Sequence, residues 1–144
     1  MTTIAYKDGI IAYDGRVTVG TRIDYDDYQK CIEVKGVKFV LAGCNADASR
    51  LIEAFFGAKM RNVDACALAY DGETLWLVNH FDVEGLLKTR LMPERPYAIG
   101  SGSPYAFAAM DMGCDARQAV KAAMKRDSCT GGKIRTLTVT SPDK

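Results

Sequence analysis

Apolar and polar positions alternate in short runs through the first half of the chain, and turn residues separate the runs. Ile4-Ala5-Tyr6 and Ile10-Ile11-Ala12-Tyr13 flank Asp8-Gly9, a pair suited to a two-residue hairpin loop. Such a loop sets Lys7 opposite Ile10, Thr3 opposite Asp14 and Thr2 opposite Gly15, so Asp14 lies beside the first residues. A second hairpin is predicted from residues 28–34 and 37–43 around Lys35-Gly36, pairing Val34 with Val37, Lys30 with Leu41 and Tyr28 with Gly43. Between them, "VTVGTRIDYDD" reads as a short strand, a turn at Gly20 and an exposed acidic loop. Chain termini fray unless something ties them down. A strand that begins on the second residue therefore raises the question of what it holds in place.

Past Gly43 the period changes. Leu51, Ile52, Phe55 and Phe56 recur at helical spacing after a capping Asn45, and Gly57 suits the stop. A third hairpin turns at Asp71-Gly72, and residues 81–96 read ambiguously, with a loop around Pro93 and Pro96. "YAIGSGS" is a strand entering a Gly-Ser loop. Ser103 is expected to cap a helix with Pro104 in its first turn, and Asp115 to cap another. A closing strand is expected over 133–141. This order is not the regular alternation of a parallel doubly wound sheet. It predicts hairpin-built antiparallel sheets with helices on their outer faces.

The 144 residues suit one domain, 1–144, with 48% hydrophobic and 26% charged positions. Nineteen basic residues against 18 acidic give a net charge of +1, so no general attraction to nucleic acid or membrane is implied. No apolar run approaches the ~20 residues of a membrane span. The opening residues lack the pattern of a signal peptide, which points to a cytoplasmic protein. The five cysteines form no Cys-x-x-Cys pair, and His80 is the sole histidine. Zinc ligation, a Cys-His pair and a Ser-His-Asp triad are all poorly supplied, and no cofactor or metal is expected. "GSGSPYA" is neither Gly-x-Gly-x-x-Gly nor a P-loop.

Four stretches change the picture when read together: "MTTI" at the start, "YDGR" at 13–16, "GSGSPYA" at 100–106 and "KRDSCTGG" at 125–132. The set, in this order, resembles the proteasome β-subunit family, and most closely the bacterial HslV-type peptidases, which are N-terminal nucleophile (Ntn) hydrolases. The resemblance implies a four-layer αββα sandwich of mostly antiparallel sheets, and threonine-dependent hydrolysis of peptide bonds. It implies that Thr2, exposed once Met1 is lost, is nucleophile and, through its α-amine, general base. An α-amine with a reference pKa of ~7.7–8.0 is substantially neutral near pH 7, which suits that task.

The same resemblance pairs Asp14 with a catalytic lysine at position 30 and makes Gly43 the backbone donor to the oxyanion. It assigns Ser101 and Asp127 to anchoring the N-terminal amine, with Thr130 where a serine is usual, and makes Leu41 the floor of the first specificity pocket. Peptides or unfolded proteins are the implied substrates, a ring-shaped homo-oligomer the implied assembly, and an AAA+ unfoldase a possible partner. One departure stands out: between Asp47 and Cys66 there is room for one helix where the family has two. A second reading is a catalytically silent proteasome-like structural or assembly subunit, although such a subunit has no need of the Thr2–Asp14–Lys30 set. A third is an anion-binding module built on the Gly-Ser loop.

Overall fold

A computed structural model describes residues 2–139. Eleven strands and three α-helices run in the order β1 (Thr3–Lys7), β2 (Ile10–Tyr13), β3 (Val17–Val19), β4 (Arg22–Tyr25), β5 (Cys31–Val34), β6 (Val37–Gly43), α1 (Ala48–Phe55), β7 (Ala65–Tyr70), β8 (Leu75–Phe81), β9 (Gly85–Arg90), β10 (Tyr97–Gly100), α2 (Ser103–Asp111), α3 (Ala116–Met124) and β11 (Arg135–Thr138). The first sheet has the order β10-β1-β2-β11, the second β5-β6-β7-β8-β9, and β3-β4 form a separate ribbon. Every strand pairing is antiparallel.

The alternation seen in the sequence sorts residues between layers. Ile4, Tyr6, Ile11 and Tyr13 point from the first sheet to the second, where they meet Val40, Ala42 and Leu68. The intervening Ala5 and Ala12, with Ala98, face α2 and α3, packing against Ala106, Met110, Ala119 and Val120. Alanines on that face let the helices lie close to the sheet. On the far side of the second sheet, Phe39, Leu41, Ala67 and Val78 pack under Leu51 and Ile52 of α1. The result is a four-layer αββα sandwich whose second helical layer holds α1 alone among the described residues.

Both leading hairpins take the expected register. Lys7 pairs with Ile10 across Asp8-Gly9, and Val34 with Val37 across Lys35-Gly36. All four loop residues have positive φ, between 51° and 80°, as a type I′ turn requires. The second hairpin is shorter than expected, however. Tyr28 does not face Gly43; its N–H donates to the Gly15 carbonyl at 3.0 Å, and Gly43 pairs with Ala65. Arg22–Tyr25 of the expected acidic loop form strand β4, while Asp26 and Asp27 stay in an exposed loop, and the ambiguous stretch contains β9, paired with β8. Gly102, not Ser103, is the N-cap of α2 and makes no side-chain cap bond. Asp115 caps α3 in a reciprocal box with Gln118. Residues 140–141 of the expected final strand lie outside the described range.

Candidate active site

Strand β1 answers the question of the tied-down terminus, because it is an interior strand. It is bonded to β10 on one side and to β2 on the other. Thr2 stands at its head. The expected proximity of Asp14 holds: its N–H donates to the Thr3 carbonyl at 3.4 Å. Lys30, just before β5, is fixed by its carbonyl, which accepts from Leu41 N–H at 2.9 Å.

These three side chains meet. Lys30 Nζ donates to Thr2 Oγ1 at 2.5 Å and to Asp14 Oδ1 at 2.8 Å, while Thr2 Oγ1 donates to the same Asp14 oxygen. Thr2, Asp14 and Lys30 are 2%, 0% and 5% exposed. Asp14 is a fully engaged acceptor. Oδ1 also takes Thr3 N–H at 3.3 Å, and Oδ2 takes Gly131 N–H at 2.9 Å and Arg16 N–H at 3.3 Å. Burial pushes the Lys30 ammonium below the ordinary lysine range, and the charge and hydrogen bond of Asp14 offset part of that fall.

A second cluster adjoins the first. Ser101 Oγ and Thr130 Oγ1 each donate to Asp127 Oδ2 at 2.6 Å. Thr130 has then spent its proton, so Thr3 Oγ1 is the donor in their 2.7 Å contact. Ser101 Oγ lies 3.4 Å from the Thr2 carbonyl. Burial works against the Asp127 carboxylate, but the bonds from Ser101, Thr130 and the Cys129 N–H outweigh it and hold its pKa below 3.8. The Gly-Ser loop owes its glycines to packing against β1. A Cβ on Gly100 would strike the Thr2 carbonyl, and one on Gly102 would strike Thr3 Oγ1.

Thr2 and Lys30 border a cleft of about 620 Å³, walled by the β3–β4 ribbon on one side and by residues 41–46 on the other. Gly43 lies in that second wall at φ +100°, where a Cβ would sit 2.7 Å from the Asp64 carbonyl. A single 3-10 turn, Asn45–Asp47, leads from it into α1. Leu41, 8% exposed, borders both the cleft and a small recess shared with Lys30, Ile32 and Asn45. Of the eight residues singled out in the sequence, Thr2, Lys30, Leu41 and Gly43 line the cleft; Asp14 bonds Lys30, Ser101 lies against the Thr2 carbonyl, and Asp127 and Thr130 join Ser101.

Arg16, the last residue of the Tyr13–Arg16 stretch, also holds the site together. Its guanidinium binds Asp26 through Nε at 2.8 Å and Nη2 at 3.3 Å, and donates from Nη1 to the Ser128 carbonyl at 3.1 Å. It also lies over Gly131, where a Cβ would collide with it. Arg16 therefore straps the 127–131 loop against the Asp14 turn. Ser128 is 112 positions away, so no local pattern announces the contact.

No protein-family model matches the chain, and no curated protein matches it. Solved structures do. BPH from Thiobacillus denitrificans superposes with a TM-score of 0.70 at 21% identity, covering 99% of each chain. The same protein in complex with epoxomicin gives 0.69 at 18% identity, covering 96% of this chain and 98% of that one. Eukaryotic HslV from Trypanosoma brucei gives 0.70 at 20% identity, with 96% and 98% covered. The fold is that of the HslV-type, proteasome-like Ntn hydrolases.

Proposed function

We propose that this protein is a threonine peptidase acting on peptides or unfolded polypeptides, with Thr2 as nucleophile once Met1 is removed. The observation that supports it most is the buried contact of Lys30 Nζ with Thr2 Oγ1, completed by Asp14. A serine or threonine hydroxyl is a weak nucleophile until a base and a positive field act on it. The Thr2 amine takes the hydroxyl proton as Oγ1 attacks the substrate carbonyl carbon. Lys30 lowers the cost of the developing alkoxide, and the Gly43 N–H donates to the oxyanion. The amine then passes its proton to the leaving nitrogen, an acyl-enzyme forms on Oγ1, and water activated by the same amine releases it. Ser101, Asp127 and Thr130 orient the amine.

Leu41 gives the acyl-side pocket an apolar floor, where an unpaired charge is costly to bury, so apolar residues before the scissile bond are preferred. Copies of the chain assemble as a homo-oligomer that encloses the clefts, and the trimmed layer around α1 leaves the usual unfoldase contact in question. A cytoplasmic setting belongs to the same proposal; among the described residues no helix is long and apolar enough to cross a membrane.

The test is a library of fluorogenic peptides offered to the wild type and to Thr2→Ala. Cleavage after apolar residues, abolished in a Thr2→Ala protein of unchanged thermal stability, is the expected outcome. Equal hydrolysis by both proteins excludes the mechanism, and best cleavage after Asp, Glu or Arg excludes the role given to Leu41.

A further inference from the structure

Asp47 stands at the head of α1, where an aspartate ordinarily accepts a bond from an amide of the helix's first turn. It makes no such cap bond. Its carboxylate turns instead to the segment that leads into β7. Oδ2 accepts the Asp64 N–H at 2.8 Å, and Oδ1 accepts Arg50 Nη1 at 3.1 Å. Arg50 reaches further along the same segment, to the carbonyls of Arg61 and Asn62. Backbone bonds close the circuit: Cys44 N–H donates to the Asp64 carbonyl at 2.7 Å, and Asp47 N–H to the Cys44 carbonyl at 3.0 Å. Residues 44, 47 and 64 are thus joined in a ring of three hydrogen bonds, one of them made by the Asp47 side chain.

The ring adjoins Gly43, whose amide the register aims at the cleft. Amides along an antiparallel strand alternate between its two neighbours. Cys44 N–H goes to Asp64, on the β7 side, and Leu41 N–H to the Lys30 carbonyl, on the β5 side. The Gly43 N–H therefore points to the β5 side. Tyr28, which would oppose it there, bonds Gly15 instead, and the cleft lined by Gly43, Thr2 and Lys30 takes its place. The Cys44–Asp64 bond lies just past the last register pair, Gly43 with Ala65, and the ends of ordered elements open most readily.

We infer that Asp47 is a positioning residue, which fixes the direction of the Gly43 N–H by holding Asp64 at the end of the β6–β7 ladder. The inference rests on the peptidase reading, in which that N–H meets the oxyanion. Gly43 lies at φ +100°, in a region that glycine crosses freely, so the restraint must come from the peptide beside it. The Asp64 N–H, and after it Arg50, hold the Asp47 carboxyl below its usual range. It is an anion at neutral pH and accepts both bonds.

Asp47→Ala removes the link, whereas Asp47→Asn keeps an oxygen for the Asp64 N–H. With the fluorogenic peptide that the wild type cleaves best, Asp47→Ala is expected to lose about tenfold in kcat at unchanged KM, part of the roughly 10²–10³-fold that a missing oxyanion donor costs. Asp47→Asn should recover most of that loss. A peptide aldehyde, whose hemiacetal oxygen takes the oxyanion position, should bind Asp47→Ala about tenfold more weakly. Hydrogen exchange at Cys44 N–H should quicken in Asp47→Ala and stay slow in Asp47→Asn. Wild-type kcat in Asp47→Ala, a change in KM alone, or an Asp47→Asn as slow as Asp47→Ala overturns the inference. The two readings fail separately. Quickened exchange at Cys44 in a protein whose wild-type form cleaves no peptide removes only the peptidase assignment. Unchanged exchange and kcat in Asp47→Ala, beside an active wild type, remove only the role of Asp47.

Discussion

Lys30 and Asp14 carry charges that the fold has taken out of water, and each is tolerable only because of the other. Removing one partner of such a pair leaves an uncompensated buried charge, at a cost of about 3–5 kcal/mol. Lys30→Ala is therefore expected to lower the urea midpoint strongly and to reduce kcat/KM about 10²–10³-fold, although Thr2 is untouched. Lys30→Arg keeps the charge but brings a bulkier, planar donor set, so rescue should be poor. Asp14→Asn should cost at least as much stability, because it strips Lys30 of its counter-charge and turns an amide donor on N–H groups that the carboxylate accepts, and it should also be low in activity. An exposed surface lysine would give changes within about 0.5 kcal/mol, and wild-type turnover in Lys30→Ala would sink the electrostatic role. Asp127 makes a pH-dependent contribution of the opposite charge type. Its folded pKa lies below 3.8, so it adds stability that is complete above the unfolded value and lost as pH falls through the lower, folded one. The difference in urea midpoint between wild type and Asp127→Asn should stay constant above about pH 5 and close as pH falls below 3.8. A difference that does not change with pH would contradict the bonds assigned to that carboxylate.

At the level of elements, what the sequence made legible was local. The β1–β2 hairpin could be drawn residue by residue because period-two alternation and Asp8-Gly9 agree, and its register alone brought Asp14 to Thr2. Lys30 opposite Leu41 followed in the same way. Strand β4 was not legible, because all four of its residues are exposed and show no buried face. Tyr28 was misplaced because its backbone bonds Gly15, thirteen positions earlier, and nothing nearby marks that attachment. Sequence resemblance brought in Ser101, Asp127 and Thr130, but the bond from Thr3 to Thr130 spans 127 positions and emerged only from the fold. The Arg16 strap is of the same long-range kind. Arg16→Lys retains a charge yet cannot hold Asp26 with a two-pronged fork while also reaching Ser128. The expected result is a loss of about 1 kcal/mol of stability and faster hydrogen exchange at Gly131 N–H, which Asp14 accepts. Unchanged exchange at Gly131 would show that the loop holds its place without the strap.

The molecule as a whole keeps the αββα sandwich while giving up part of one outer layer. Phe39, Phe55 and Phe56 stack edge to face beside α1. Lys35 lies over Phe56, and Lys88 over both Phe55 and Trp76. Cations over aromatic faces cover part of the apolar surface beside α1 at modest energetic gain. The trimming lies on the far side of the second sheet from β1, and the Thr2 contacts run through the first sheet, β5 and the 127–131 loop. The site can thus stay whole while the outer layer shrinks. In the proposed mechanism the hydroxyl and the α-amine of residue 2 act together. A peptide epoxyketone joins both groups into one ring, so intact and peptide-level mass spectrometry of the treated protein reads out their joint action. The expected result is a chain lacking Met1 that carries a single adduct at Thr2, absent from Thr2→Ala. A chain that retains Met1, or one that carries no adduct at residue 2, would contradict it.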